Sequence, residues 1–340
     1  MTSSLRLGIA GLGSVGASVV RLLQGRDDSQ NCGSRPEIAA VSARDRSRDR
    51  GLDLDGIAWA DDPVALARSD DIDCFVELIG GEDGPALHSV EAALAAGKHV
   101  VTANKALLAA HGLKLASIAE DSGVGLYFEA AVAGGIPIVK TLREALRGNR
   151  ISRVYGILNG TCNYILTRME LEGLTFGDCL SDAQRLGYAE ADPTFDVEGL
   201  DTAHKLAILT SLAFGTEIDK ESIFVEGISS ITPEDIIAAD ELGYRIKLLG
   251  VAQRTESGIE QRVHPTMVPK DSDIARVSGV TNAVAVEGDF VGSVILSGPG
   301  AGGDATASAV VGDILDIARG TIVPPRGRPG AKLMADKRAR

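Results

Sequence analysis

Aromatic side chains are scarce in this chain, at 4% of 340 residues with a single tryptophan. Hydrophobic residues still make up 44%, so the interior must be largely aliphatic. The length is enough for two cores rather than one. Cysteine is equally sparse. Cys32, Cys74, Cys162 and Cys179 form no CxxC pair, which argues against a zinc site and for a reducing compartment. Basic charge is in deficit: 34 Lys and Arg stand against 47 Asp and Glu, a net charge of -13. That balance excludes a general nucleic-acid binder, which needs a basic face. No apolar run is long enough for a bilayer span. The first residues lack the successive basic, apolar and cleavable segments of a secretory leader. There is no internal repeat. The expectation is an acidic, cytoplasmic globular protein with no membrane or nucleic-acid partner.

What is present in the first part is an alternation of strand and helix. Leu5–Ala10, Ile38–Ser42, Ile72–Leu78, His99–Ala103 and Val124–Ala130 read as strands. Ser14–Leu23, a segment begun by Asp61-Asp62-Pro63, Ala86–Ala96 and Gly112–Asp121 read as helices. This pattern predicts a parallel sheet with helices on both faces. It changes after Gly134-Gly135-Ile136-Pro137. A helix from Ile138 to Leu146 leads into strand Ile151–Leu158 and helices Thr161–Leu171 and Phe176–Leu186. A long helix Val197–Phe214 and a short one, Pro233–Leu242, follow. Tyr244–Arg254, Gly258–His264, Asn282–Glu287 and Phe290–Leu296 read as antiparallel strands of one sheet, and Ala305–Ala318 as a final helix. The tail from Pro324, rich in Pro, Gly, Arg and Lys, reads as a solvated end.

Gly11-Leu12-Gly13-Ser14-Val15-Gly16 follows the first strand and opens the first helix. Gly11 permits the tight turn, Gly13 lets the backbone approach a pyrophosphate, and Gly16 allows close helix–strand packing. The helix N-terminus then offers N–H groups to phosphates. The fold class is therefore α/β, an N-terminal Rossmann-type dinucleotide-binding sheet followed by an α+β domain. The end of the second strand reads Ser42-Ala43-Arg44, with Arg46, Arg48 and Arg50 behind it, where an NAD site usually has an acid. Arg44 suits a 2′-phosphate, so NADP is expected over NAD, while most of Arg46 to Arg50 reads as a solvated loop.

The other informative segment is Gly187-Tyr188-Ala189-Glu190-Ala191-Asp192-Pro193, followed by Asp201 and Lys205. Residues i and i+4 share one helix face, so Asp201 and Lys205 are expected in one pocket. Carboxylates there suit the ammonium of an amino acid, and an amine beside them can give or take a proton.

Several segments together resemble homoserine dehydrogenase: Glu77–Gly81, Val101–Lys105, Glu129–Pro137, Gly156–Tyr164, Gly187–Pro193, Asp196–Asp201 leading to Lys205, and Gly298–Gly302 before Thr306–Val310. The resemblance runs to about Arg319 and implies NAD(P)-dependent interconversion of L-homoserine and L-aspartate 4-semialdehyde. It implies Lys205 as the proton donor and acceptor at the substrate oxygen, and Lys105 as a second cation facing substrate and nicotinamide. Glu190 and Asp201, with Asp192, would bind the substrate, and Asp196 would stand behind them. Beyond Gly11 to Gly16 and Arg44, the cofactor would meet Gly80, Lys105, Gly187, Gly300 and Gly302. A monovalent cation, sodium in the family, would sit on Glu129 and on the carbonyls of Val132, Gly134 and Ile136. The domains expected are residues 1–137 for nucleotide, 138–302 for substrate, catalysis and homodimer formation, 303–322 as a returning helix, and 323–340 as the tail. Ala305 stands where the family often has proline. No threonine-sensing regulatory domain is expected within this length.

Two rivals stay open on the sequence. An acylating dehydrogenase of the aspartate-semialdehyde type would use Cys162 as nucleophile and consume phosphate. A nucleotide sensor without turnover would keep the glycine fingerprint and leave the Glu190–Lys205 cluster idle.

Overall fold

The structure, a computed structural model, describes residues 4–25 and 36–327. Cys32, and the expected solvated tail from residue 328 on, lie outside the described residues. The described residues divide into two units, one of residues 4–25, 36–139 and 301–327, the other of residues 140–300. Among the described residues, no helix is long and apolar enough to cross a membrane.

The first unit is built on a parallel sheet. Strands β1 (Leu5–Ala10), β2 (Pro36–Ser42), β3 (Ala58–Trp59), β4 (Cys74–Glu77), β5 (His99–Thr102) and β6 (Leu126–Tyr127) lie in the order β3-β2-β1-β4-β5-β6. Every neighbouring pair is parallel. Helices α1 (Ser14–Gly25), α2 (Pro63–Arg68), α3 (Pro85–Ala95) and α4 (Lys105–Asp121) alternate with the strands. Leu7, Ile9, Val41, Val76 and Val101 are fully buried, because a parallel sheet is covered on both faces and its strands carry continuous apolar runs. The order reverses at β1 and β4, which places a ligand crevice at their carboxyl ends. Asp62 starts α2 as its sequence signals, accepting from the N–H groups of Val64 and Ala65.

Two elements of this unit depart from expectation. Helix α4 begins at Lys105 rather than Gly112, because Asn104 caps it by accepting from Leu107 N–H at 3.1 Å. Gly112 is a buried interior residue of that helix, not its start. The strand predicted over Val124–Ala130 is only the pair Leu126–Tyr127, after which Glu129–Ala131 forms a 3-10 turn.

The second unit begins where the short helix α5 (Ile138–Lys140) passes into a π turn over Thr141–Ala145. It continues through β7 (Ile151–Ile157), α6 (Gly160–Glu172), α7 (Phe176–Arg185), α8 (Thr194–Val197), α9 (Leu200–Phe214), β8 (Phe224–Val225), α10 (Pro233–Glu241), β9 (Tyr244–Arg254), β10 (Ile259–Pro269), β11 (Thr281–Gly288) and β12 (Gly292–Pro299). The sheet order is β12-β11-β7-β9-β10-β8, antiparallel except where β8 meets β10. Helix α9 packs on β7, β9 and β10, with Gly250 directly beneath Thr202 and Leu206. The closing helix α11 (Gly303–Ala318) belongs to the first unit, where it packs along α1 and buries Val310, Val311 and Ile314.

The helix predicted over Val197–Phe214 is broken. Gly199 takes φ 81°, and a Cβ there would meet Val263 at 2.9 Å, so the chain turns between α8 and α9 where only glycine fits. Strand β10 runs past His264 through Pro265 to Pro269. Proline is tolerated because β8 pairs only with Arg262 and Val263, leaving this stretch an open edge. Strand β12 is shifted to Gly292–Pro299, since Asp289 to Val291 form the turn and Phe290 is 91% exposed.

Lys247 stands out in the second core. Its side chain is 1% exposed, and its ammonium donates to Val277 O at 2.8 Å and Asn163 Oδ1 at 3.2 Å. Burial pushes its pKa down from 10.5 to about 8. The unfolded chain therefore binds more protons between those two values, so this group makes stability rise with pH across that window. The slope it adds is about 1 kcal/mol per pH unit. Urea unfolding at a series of pH values should show a steeper rise through this window in the parent protein than in Lys247→Met. Equal slopes would refute the assignment.

Candidate active site

In the first unit, the glycine fingerprint has the geometry of a phosphate-binding turn. Gly11 takes φ 103°, and a Cβ on it would lie 2.2 Å from Leu78 O. A Cβ on Gly16 would lie 2.0 Å from Gly11 O. Gly13 faces open space, with nothing within 4 Å of a Cβ position. Two glycines are thus required by packing, while the third leaves room for a ligand beside the N-terminus of α1. This arrangement fits a dinucleotide. Leu12, Ser14 and Val15 complete the turn. Arg44 is exposed at the start of the loop that follows β2.

Arg50 was not expected to matter, yet it clasps the fingerprint. Its Nε donates to Leu12 O at 3.1 Å, and its terminal nitrogens donate to Arg48 O at 2.7 Å and Asp45 O at 2.6 Å. It fixes the loop carrying Arg44 to the glycine turn. Arginine spacing gives no hint of this, because the acceptors are all backbone carbonyls.

The carboxyl ends of β4 and β5 are tied by Glu77, which is fully buried. Its Oε1 accepts from the N–H groups of Ile79 at 2.8 Å and Gly80 at 3.0 Å, and its Oε2 from Thr102 Oγ1 at 2.5 Å. Asn104 Nδ2 donates to Gly81 O at 2.7 Å. Gly80 and Gly81, at φ 83° and 86°, are thereby held beside the residue that starts α4, Lys105. Glu77 and Asn104 lie in the segments Glu77–Gly81 and Val101–Lys105, but their part in shaping this turn is invisible until β4 and β5 are paired.

The region expected to hold a cation is also in the first unit. Glu129 is 3% exposed. Its Oε1 accepts from Val139 N–H at 2.8 Å, and its own N–H donates to Asp313 Oδ2 at 2.9 Å. Ala133 and Gly134, at φ 56° and 50°, turn the chain sharply between Val132 and Ile136. Two buried carboxylates, Glu129 and Asp313, thus lie at this turn, and oxygen is the donor type that fits a hard cation. Among the described residues, no cluster of His, Cys, Asp and Glu forms a metal site by side chains alone.

In the second unit, Asp201 and Lys205 do meet. They occupy the first turns of α9, 2% and 8% exposed. Lys205 Nζ donates to Asp201 Oδ2 at 2.7 Å and to Leu158 O at 2.7 Å. Asn159, the N-cap of α6, donates through Nδ2 to the same Asp201 Oδ2 at 2.9 Å and to Asp196 Oδ1 at 2.8 Å. A buried ion pair is held by such added hydrogen bonds, because removal of two charges from water is costly.

Glu190 and Asp192 lie on the exposed loop between α7 and α8. Thr161 Oγ1 donates to Tyr188 O at 2.6 Å, the rings of Tyr164 and Tyr188 meet edge-on at 5.0 Å, and Gln184 Nε2 donates to Glu190 O at 3.0 Å. The loop is therefore anchored, with Gly187 at φ 77° making its turn. Asp192 is engaged locally: its Oδ1 accepts from Thr194 N–H and Thr194 Oγ1, which holds its pKa below the usual carboxylate range. Gly300 leaves no space for a side chain, since a Cβ would lie 1.9 Å from Asn282 Nδ2. Gly302, at φ 111°, precedes α11 in the first unit.

Cys162 does not have the setting of a nucleophile. It is fully buried in α6, its Sγ donates to Asp196 O at 3.2 Å, and burial followed by Asp196 and Asp201 raises its pKa well above the ordinary thiol range. A reactive thiol needs access and positive surroundings.

Comparison with known proteins gives one family throughout. A family model described as "Homoserine dehydrogenase" matches residues 137–315, and one described as "Homoserine dehydrogenase, NAD binding domain" matches residues 11–129. A homoserine dehydrogenase of Pseudomonas aeruginosa is 50% identical, over 95% of this chain and 74% of the relative. The crystal structure of a homoserine dehydrogenase from Thiobacillus denitrificans superposes with TM-score 0.90 at 48% identity, over 93% of this chain and 73% of that one. A hyperthermophilic archaeal homoserine dehydrogenase in complex with NADPH superposes with TM-score 0.79 at 27% identity, over 92% of this chain and 97% of that one.

Proposed function

The chain belongs to the homoserine dehydrogenase family, an NAD(P)-dependent oxidoreductase family, and from that premise we propose how its residues divide the work of interconverting L-homoserine and L-aspartate 4-semialdehyde. The observation that carries the reading is the buried Asp201–Lys205 pair, backed by Leu158 O and Asn159. A bound nicotinamide supplies the hydride for aldehyde reduction and takes it back in alcohol oxidation. Reduction builds negative charge on the substrate oxygen. Lys205 stabilises and protonates that oxygen. Asp201 favours the ammonium form of Lys205, which suits the reducing direction, and receives the substrate ammonium together with Glu190. Asp192 shapes the loop that presents Glu190. Lys105, with its backbone fixed by Asn104, is a second cation toward substrate and nicotinamide.

Gly11, Leu12, Gly13, Ser14, Val15, Gly16 and Gly80 would hold the cofactor on the first unit, and Gly187, Gly300 and Gly302 are the further positions that the family resemblance implies for it. Arg44, placed by the Arg50 clasp, favours NADP over NAD. Glu129 and the carbonyls of Val132, Gly134 and Ile136 would hold a monovalent cation of the sodium type, whose charge would offset the buried carboxylates Glu129 and Asp313. The second sheet presents Tyr155, Arg262, His264 and Ile295 half-buried or exposed on one face, and this face suits a homodimer. The free cysteines Cys74, Cys162 and Cys179 fit the cytoplasm.

The test is homoserine-dependent reduction of NADP by the purified protein, followed by absorbance of the reduced nicotinamide. A robust rate is expected, independent of phosphate and unaffected by thiol alkylation. Cofactor binding without turnover would return the nucleotide-sensor reading. Phosphate dependence and loss of rate on alkylation would return the acylating one.

A further inference from the structure

We propose that Asn159 is a positioning residue, whose side-chain amide keeps Asp196 and Asp201 ionised side by side so that Asp201 can orient Lys205. The proposal rests on the roles given above to Asp201 and Lys205.

The orientation of the Asn159 amide is fixed by what surrounds it. Its Oδ1 accepts from Cys162 N–H at 2.9 Å as the N-cap of α6, while its Nδ2 faces two carboxylate oxygens, Asp196 Oδ1 and Asp201 Oδ2. Turning the amide over would set an acceptor against two acceptors and a donor against a helix N–H, so only one arrangement satisfies every partner. The residue is 5% exposed. Both hydrogens of its NH2 group are used, one on each carboxylate.

The two carboxylates come from different elements, Asp196 from α8 and Asp201 from the first turn of α9, and the left-handed bend at Gly199 brings them together. Oxygens bound to a single nitrogen at 2.8 and 2.9 Å lie within about 6 Å of each other. At such a distance like charges push a proton onto one of the pair, unless donors favour the charged forms of both. The neighbouring charges sharpen the need. Glu198, between α8 and α9, adds a third carboxylate near Cys162, where Lys205 brings an ammonium. His204 on α9 is turned to Phe195. Lys247 on β9 binds Asn163, one turn further along α6. Glu190 and Asp192 lie on the loop that Thr161 holds through Tyr188 O. Within this acidic surround, Asn159 is a neutral group whose one nitrogen donates to both members of the pair.

Serine and aspartate both cap helices well, so Asn159→Ser and Asn159→Asp keep α6 capped while removing the two-donor bridge. Expected in both is a fall in homoserine-dependent kcat of about 10- to 100-fold, since a small misplacement of a catalytic group is costly. The KM for NADP should stay within about twofold, as expected of a change confined to the substrate unit. The distinguishing result is the pH profile: its acidic limb should move upward by about one pH unit, because one carboxylate of the unbridged pair now holds a proton. Adding Asp196→Asn to Asn159→Ser should return that limb toward the parental position. A limb unmoved in both folded variants would overturn the proposal. If Lys205→Ala itself kept normal turnover, the fault would lie in the reading on which the proposal rests.

Discussion

Lys205→Ala should lower turnover by about 10²- to 10⁴-fold in both directions, the range expected for loss of a general acid–base group. The geometry states why. Lys205 is buried with Asp201 Oδ2 and Leu158 O each 2.7 Å from Nζ, so two fixed acceptors hold its ammonium at one point, and alanine supplies no proton there. The substitution also leaves Asp201 as a buried carboxylate without its cation, which costs about 3–5 kcal/mol when a buried pair is broken. A folding defect must therefore be separated from a chemical one. Cofactor binding, read by nucleotide fluorescence, should survive, because the glycine turn belongs to the first unit. Small alkylamines added to the alanine variant should restore part of the rate, since they fit the vacated stem and supply the missing proton. Near-normal turnover in Lys205→Ala would remove the lysine from the mechanism. A low rate with lost cofactor binding would point to unfolding.

The parts of this molecule that were legible in the sequence are those written in local pattern. The strand, glycine turn and helix of Leu5 to Gly25 are fixed by an apolar run, two glycines with no room for a side chain, and a following amphipathic stretch. The cap at Asp62 follows from an equally local signal. The i, i+4 spacing of Asp201 and Lys205 predicted their meeting without knowledge of the fold. What escaped is what other segments decide. The two-residue strands β3 and β8 exist only through their pairing with β2 and β10. Gly199 interrupts an otherwise helical run because Val263 leaves no room beside it. Glu77, Arg50 and Asn159 bond to groups brought near by sheet pairing, loop return or the bend at Gly199. Asn159 carried the best available hint, since asparagine before Gly-Thr at a helix start signals a cap, but nothing local says that its other face bridges two acids.

The three fingerprint glycines should separate cleanly when each is replaced by alanine. Gly13→Ala meets nothing within 4 Å in the protein itself, so its unfolding should match the parent to within about 1 kcal/mol, the typical effect of a change at the position that caps a helix N-terminus. Its NADP affinity should fall about 10-fold or more, because a methyl group now occupies the approach of the pyrophosphate. Gly16→Ala sets a methyl carbon 2.0 Å from Gly11 O, closer than any real contact, and backbone rather than a flexible side chain must yield. Overpacking of this kind costs about 3 kcal/mol. Gly11→Ala adds to a 2.2 Å clash with Leu78 O the strain of φ 103°, so it should lose at least as much stability as Gly16→Ala. Denaturant unfolding without cofactor, paired with NADP titration, reads both quantities on the same samples. If all three variants lost stability equally and Gly13→Ala bound NADP like the parent, the turn would be a structural feature without a nucleotide. Stability lost at Gly11 and Gly16, with affinity lost alone at Gly13, is the outcome the geometry requires of a turn that packs on two sides and opens to phosphate on the third.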